Sequence, residues 1–191
     1  MMMYPLARSF GGMKQSEIKT NRAAFVVLQK EGLEKEAVVF PALVIDLGQP
    51  SWDAAAGQRL VEILSAEHGL KATPAGQEPG VPYTPMPANQ LRYHNERAGA
   101  YAAWVRLQPK PAEYSWFMEI FMDVEGGQIH AMHLYVVDAA GNIPFCQLTN
   151  SHHYGPQPPA TVEEGIQFLV RRFFKELEEP AEEAWPAYGV G

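Results

Sequence analysis

The second half of the chain is built from apolar runs of strand length separated by short polar connections. Tyr101–Gln108, Tyr114–Val124, Ile129–Val137 and Ile143–Asn150 are such runs. Glu125-Gly126-Gly127-Gln128 supplies the glycines that a hairpin turn needs at positive φ, and Asp138-Ala139-Ala140-Gly141-Asn142 is a second turn. Short connections favour neighbouring antiparallel strands, so the pattern predicts a four-stranded meander.

The first half mixes periods. Ala37 to Leu47 is a nearly continuous apolar run, as in a strand covered on both faces. Pro41 cannot donate to a ladder and predicts an edge, a bulge, or a start nearer Ala42. Ala23–Leu28 is too short for periodicity to choose between strand and helix. From Trp52 onward, Trp52, Ala56, Leu60, Ile63 and Leu64 share a helical face, with Ser51 as the expected N-cap and Gly69 as the C-terminal stop. Thr73 to Pro87 holds five prolines and two glycines and reads as a long loop. Asn89 is placed to cap a short helix running to Ala98. Near the end, Thr161 and Glu164 form a T-x-x-E capping box ahead of the stripe Ile166, Leu169, Val170, Phe173 and Leu177.

The predicted order is β-α-(loop)-α-β-β-β-β-α. It describes an α+β domain, with an antiparallel or mixed sheet of about five strands and two or three helices packed on it. Residues 1–22 are expected to be an arm, 23–178 the single domain, and 179–191 an acidic tail.

Composition narrows the partners. The 191 residues carry a formal charge of −7, with basic side chains scattered rather than gathered on one face. That argues against nucleic acid, which is bound by clustered Lys and Arg. A single cysteine, Cys146, excludes an intrachain disulfide and a thiolate zinc cluster. No apolar run reaches membrane-spanning length, and Met1–Lys14 lacks the apolar core of a secretory signal. The chain as it stands therefore reads as cytoplasmic, or as periplasmic or envelope-bound if a targeting segment precedes it.

The layout resembles the small bacterial envelope lipoprotein domains related to the curli-assembly protein CsgG and the amino-terminal domain of TolB. The likeness rests on the apolar strand entering a capped helix, the segment Ala100-Tyr101-Ala102-Ala103-Trp104-Val105, the hairpin Val137–Ile143 and the closing amphipathic helix. It spans about Ala37 to Leu177, without the lipid-attachment cysteine of that group. The resemblance implies an assembly or partner-binding domain without catalysis, and it assigns no functional residues.

Candidate chemistry centres on histidine. His130 and His133 lie three apart in an expected strand, which puts them on opposite faces and disfavours a shared metal. Cys146 shares its parity with Pro144 and Leu148 and reads as a small buried residue. His152, His153 and Tyr154, with Tyr83 from the proline-rich loop, are the candidate ligand- or partner-binding residues, and His68 or His94 could complete a site with the loop pair. Gly48–Ser51, leading into a helix, is a weak anion site beside Asp46 and Asp53. Glu119 and Asp123 share a strand face with Phe117 and Phe121 and read as a solvent-facing row. The G-x-S-x-G elbow, the P-loop and the dinucleotide fingerprint are all absent. The expectation is a non-enzymatic interaction domain that docks a protein partner or a second copy of itself, with no catalytic residue, metal or cofactor. The alternatives are a metal-dependent or hydrolytic enzyme using the loop histidines, and a small-ligand module with its cleft beneath the loop of residues 73–88.

Overall fold

The computed structural model describes residues 17–19, 21–47, 49–76, 78, 80, 99–100, 102–107, 116–125, 128–150 and 159–178. In chain order these form β1 (Glu17–Lys19), α1 (Arg22–Lys30), β2 (Ala37–Val39), β3 (Ala42–Asp46), β4 (Gln49–Asp53), α2 (Ala54–His68) and β5 (Ala72–Pro74). After a short helix α3 (102–107) come β6 (Trp116–Glu125), β7 (Gln128–Asp138), β8 (Phe145–Asn150) and α4 (Val162–Glu178). The protein is an α+β fold, but its one sheet is mixed and has eight strands rather than about five.

The sheet runs β1-β8-β7-β6, antiparallel throughout, and then meets β2 and β3. Those two are halves of one interrupted strand, both parallel to β6. Val39 lies opposite Met118 and Leu43 opposite Phe121, so four steps on one side span three on the other. One residue is extra, and the interruption falls at Phe40-Pro41, where the proline has no N–H to give. Beyond it, β5 pairs with β2 in parallel and β4 pairs with β3 in antiparallel. The extra residue also reverses the alternation. Ala37 and Val39 face one core, and so does Ala42.

That first core packs α1, α2 and α4 on one face of the sheet through Phe25, Leu28, Leu60, Leu64, Ile166 and Phe173. The opposite face carries a second, smaller core in which Phe40, Leu43, Ile45, Tyr135 and Val137 meet Ala102 and Val105 of α3. β7 is consequently buried from Ala131 to Asp138 without a break. The central strand is therefore closed to a docking partner on both faces.

Several expectations are corrected here. Residues 102–107 are helical, not a strand. Apolar Ala102 and Val105, three apart, are buried on one face, a helical spacing that a short apolar run conceals. Ala23–Leu28 resolves as helix, capped by the Asn21 side chain accepting from the Ala24 amide at 3.2 Å. Ser51 and Trp52 are in a strand, and the cap of α2 is Asp53, which accepts from the Ala56 amide at 3.0 Å. Glu17–Lys19, inside the expected arm, pairs with β8. The proposed helix at 89–98 lies outside the described residues, as do 1–16 and 179–191.

Other local readings agree. Gly69 ends α2 at φ 65°, with the Leu70 amide reaching back to Leu64 in a Schellman closure. Thr161 Oγ1 accepts from the Glu164 amide at 3.2 Å, while Glu164 accepts from the Ala160 amide at 2.8 Å. Asp138, buried in the β7–β8 turn, accepts from the Ala140 and Asn142 amides and from Asn142 Nδ2 at 2.8–2.9 Å. No helix among the described residues is long and apolar enough to cross a membrane.

Two contacts fix the helices. Gly57 lets α2 press on the strand interruption, because a Cβ there would lie 2.7 Å from the Phe40 carbonyl oxygen and 3.2 Å from Pro41 Cα. Between α2 and α4, Arg59 meets Glu163 in a two-point pair at 2.5 and 2.6 Å, with Gln167 donating to the same carboxylate at 3.0 Å. The arginine holds Glu163 below the usual carboxylate range through that hydrogen bond, while Glu163 raises the Arg59 pKa in return. Both side chains are about 40% exposed, 39% and 40%, so solvent screens the pair and its net worth is modest.

Two outcomes follow from these contacts. Gly57→Ala adds a better helix former, which alone would favour the helix by about 1 kcal/mol. It should nevertheless destabilise by roughly 1–3 kcal/mol, because backbone rather than a side chain must move. Urea denaturation reads the difference, and a gain in stability would mean that α2 does not press on the interruption. Glu163 has a lowered folded-state pKa, so its contribution is complete above the unfolded-state value and is lost as pH falls from 4.5 toward the folded value. Denaturation midpoints across that interval should decline less steeply in Glu163→Gln than in the natural chain.

Candidate functional site

An open cleft of about 510 Å³ lies beside the strand interruption, lined by Pro41, Trp52, Ala54, Ala75, Gly76 and Glu78. Its volume is within the roughly 300–1,000 Å³ of small-molecule sites. Local chemistry builds it. The interruption at Phe40-Pro41 separates β2 from β3, so β5 and β4, their outer partners, do not continue one another. Trp52 lies opposite Leu43 and packs with the second core. The chain after β5 then turns over that core. The Ala75 amide donates to the Val39 carbonyl at 2.7 Å, and a Cβ on Gly80 would lie 2.6 Å from Trp104 Nε1. Trp104 in turn meets Phe40 edge-on, with ring centroids 5.3 Å apart.

Among the described lining residues the wall is mostly apolar, with one indole and one carboxylate. Glu78 is exposed, and half-buried Trp52 presents the aromatic ring among the described lining residues. Ala54 begins α2, but Asp53 caps that helix terminus by accepting from the Ala56 amide, so an incoming anion would meet a carboxylate. The expected anion site at Gly48–Ser51 is corrected on the same ground, since Gln49–Asp53 is strand and not the entry to a helix.

Comparison of the chain with protein-family models, with curated proteins and with solved structures found no match. The site therefore rests on its own geometry.

The sequence-predicted residues are dispersed. His152, His153, Tyr154, Tyr83 and His94 lie outside the described residues. His68, at the end of α2, is stacked flat on Phe174 of α4 with centroids 3.7 Å apart. It closes a helix–helix contact. Among the described residues no three His, Cys, Asp or Glu side chains gather as a metal site.

His130 and His133 need a different account from the one alternation gives. Between Asp123/Ala131 and Val124/Ile129 the register shifts by one residue, and His130 is the extra residue in β7. Ile129 and Met132, an odd number apart, both join the first core. Parity is reversed between them, and the opposite-face argument for this pair fails. His133 sits between Met132 and Leu134 of the first core, so it belongs to the second face, where it is 4% exposed.

The register around His133 places chemistry-bearing residues together. Tyr135 pairs with Glu119 on one side and Cys146 on the other, and Ala131 pairs with Asp123 and Asn150. Those four occupy the diagonal positions about His133. The side chains of Glu119 and Asp123, expected to form a solvent-facing row, lie outside the described side chains. No single-sequence signal announces this arrangement, because it depends on the register of three strands.

One exposed feature stands apart. The β3–β4 hairpin turns through Leu47, which has φ 50° and is 74% exposed. A leucine in the left-handed region costs about 1–2 kcal/mol relative to a residue that accepts it. Leu47→Asn should stabilise the protein by roughly 1 kcal/mol in thermal or urea unfolding. An unchanged or lower midpoint would mean that the side chain is held by contacts that offset the strain.

Proposed function

We propose that this chain is a binding domain that takes a small ligand in the cleft beside Pro41 and Trp52. The observation that supports this most directly is the cleft itself, lined by Trp52 near the end of β4, by Pro41 and Ala54, and by Ala75, Gly76 and Glu78 at the start of the proline-rich segment. An indole and a carboxylate in one lining suit a ligand with a flat apolar body and a positive charge, through cation–π and ionic attraction. Trp52 would supply the stacking surface and Glu78 the countercharge. Ala75 and Gly76 are small, which lets a ligand approach their backbone.

A second reading is docking of a protein partner or of another copy, the assembly role implied by the resemblance to envelope lipoprotein domains. The exposed, left-handed Leu47 at the hairpin tip favours it, since an apolar side chain kept in a costly conformation is a common mark of a contact. The buried faces of β7 move such docking away from the sheet surface, to this tip or to the sheet edges.

The readings separate in one NMR experiment. Titration of isotope-labelled protein with small aromatic amines should shift the Trp52 indole together with the Ala54, Ala75 and Gly76 amides, and Trp52→Ala should abolish those shifts. Compounds that leave these signals still, or move them equally in Trp52→Ala, would remove the cleft as the site. Light scattering tests the docking reading, with dimers expected for the natural chain and monomers for Leu47→Asn.

A further inference from the structure

The segment that follows β5 supplies three of the cleft's described lining residues, Ala75, Gly76 and Glu78. Two contacts flank this stretch. On one side the Ala75 amide donates to the Val39 carbonyl at 2.7 Å, which ties the segment to the end of β2. On the other, Gly80 lies against the indole of Trp104. A Cβ on residue 80 would fall 2.6 Å from Nε1, 3.3 Å from Cδ1 and 3.4 Å from Cε2, so any side chain there must displace the indole or the segment. The indole is itself braced. It meets Phe40 edge-on with ring centroids 5.3 Å apart, an arrangement that aromatic pairs favour, and Phe40 is buried in the second core. Trp52, Ala75 and Trp104 all pack against that core.

Glu78 is exposed, and an exposed carboxylate on a loose segment would lose most of its ionic contribution to the entropy of ordering it. An anchor on each side lowers that cost. We propose that Trp104 is a positioning residue for the cleft. Through Gly80 it keeps Glu78 in the wall, and so gives the site its preference for a cationic ligand over a neutral one of the same shape. The inference rests on the small-ligand reading above. It adds a residue that is not among the described lining residues and acts on charge selectivity through its neighbours.

The test uses the full chain with tryptamine and with the analogue in which a hydroxyl replaces the amine, each followed by NMR at the Ala54 and Ala75 amides. The natural chain should bind the amine roughly two- to fivefold more tightly than the alcohol, the size of an exposed ionic contact. Gly80→Ala should bring the two affinities together while the alcohol binds as before. Trp104→Leu should do the same, and in a Glu78→Gln background neither change should weaken amine binding further, because the coupling runs through that carboxylate. A purely structural role would weaken the alcohol as well and would persist without Glu78. Should Trp104→Leu fail to fold, Gly80→Ala alters an exposed residue and carries the test alone. Before any ligand is added, a nuclear Overhauser contact should join the Trp104 indole proton to the Gly80 α protons. An amine preference that survives Gly80→Ala, no preference in the natural chain, or no such contact would overturn the inference and leave the cleft standing. If neither compound moves the cleft amides, the cleft is removed and this inference with it.

Discussion

The structure depends on one surplus residue at Phe40-Pro41. Parallel strands of equal step would have run β2 and β3 past β6 as one ladder. A proline that cannot donate and one position without a counterpart divide that ladder in two. The first segment takes β5 as its outer neighbour and the second takes β4, and the offset between them leaves the cleft. Helix α2 can settle against the division only because residue 57 has no side chain. Backbone chemistry at one position therefore sets the sheet's outer margin and the seat of α2.

A second surplus residue, His130, acts on the other neighbour of β6. It lets Ile129 join the helix-covered core while the following residues resume the ordinary alternation. With the second core closed over Tyr135 and Val137, β7 becomes the axis of the fold. Its odd and even side chains serve two different interiors. His133 lies on the side of the smaller one, where water is scarce and a polar group needs a partner.

Much of this was legible from residue order. The capping box at Thr161, the glycine ending α2, the turn at Asp138–Asn142 and the stripe from Ile166 to Leu177 all follow from local chemistry that tertiary context did not override. The failures have physical reasons. Tyr101–Gln108 has strand-like composition, yet its buried Ala102 and Val105 recur at a helical interval over too few residues to show a period. Ser51 competes with Asp53 for the same cap, and pairing of Gln49–Asp53 with β3 decides in favour of the later residue. The grouping about His133 and the cleft beside Trp52 depend on which strands become neighbours, and no local pattern encodes that.

The pairing of β1 with β8 also governs the order of assembly. Residues 17–19 leave the ribosome before the other strands, but their strand has no neighbour until 146–148 has followed. In the same way β2 and β3 wait for β6, whose nearest residue is some seventy positions later. Sheet closure is thus a late, long-range event, and contacts so distant along the chain are those that slow folding. During synthesis the early strands would carry open edges, a window in which a chaperone or a neighbouring nascent chain competes for them.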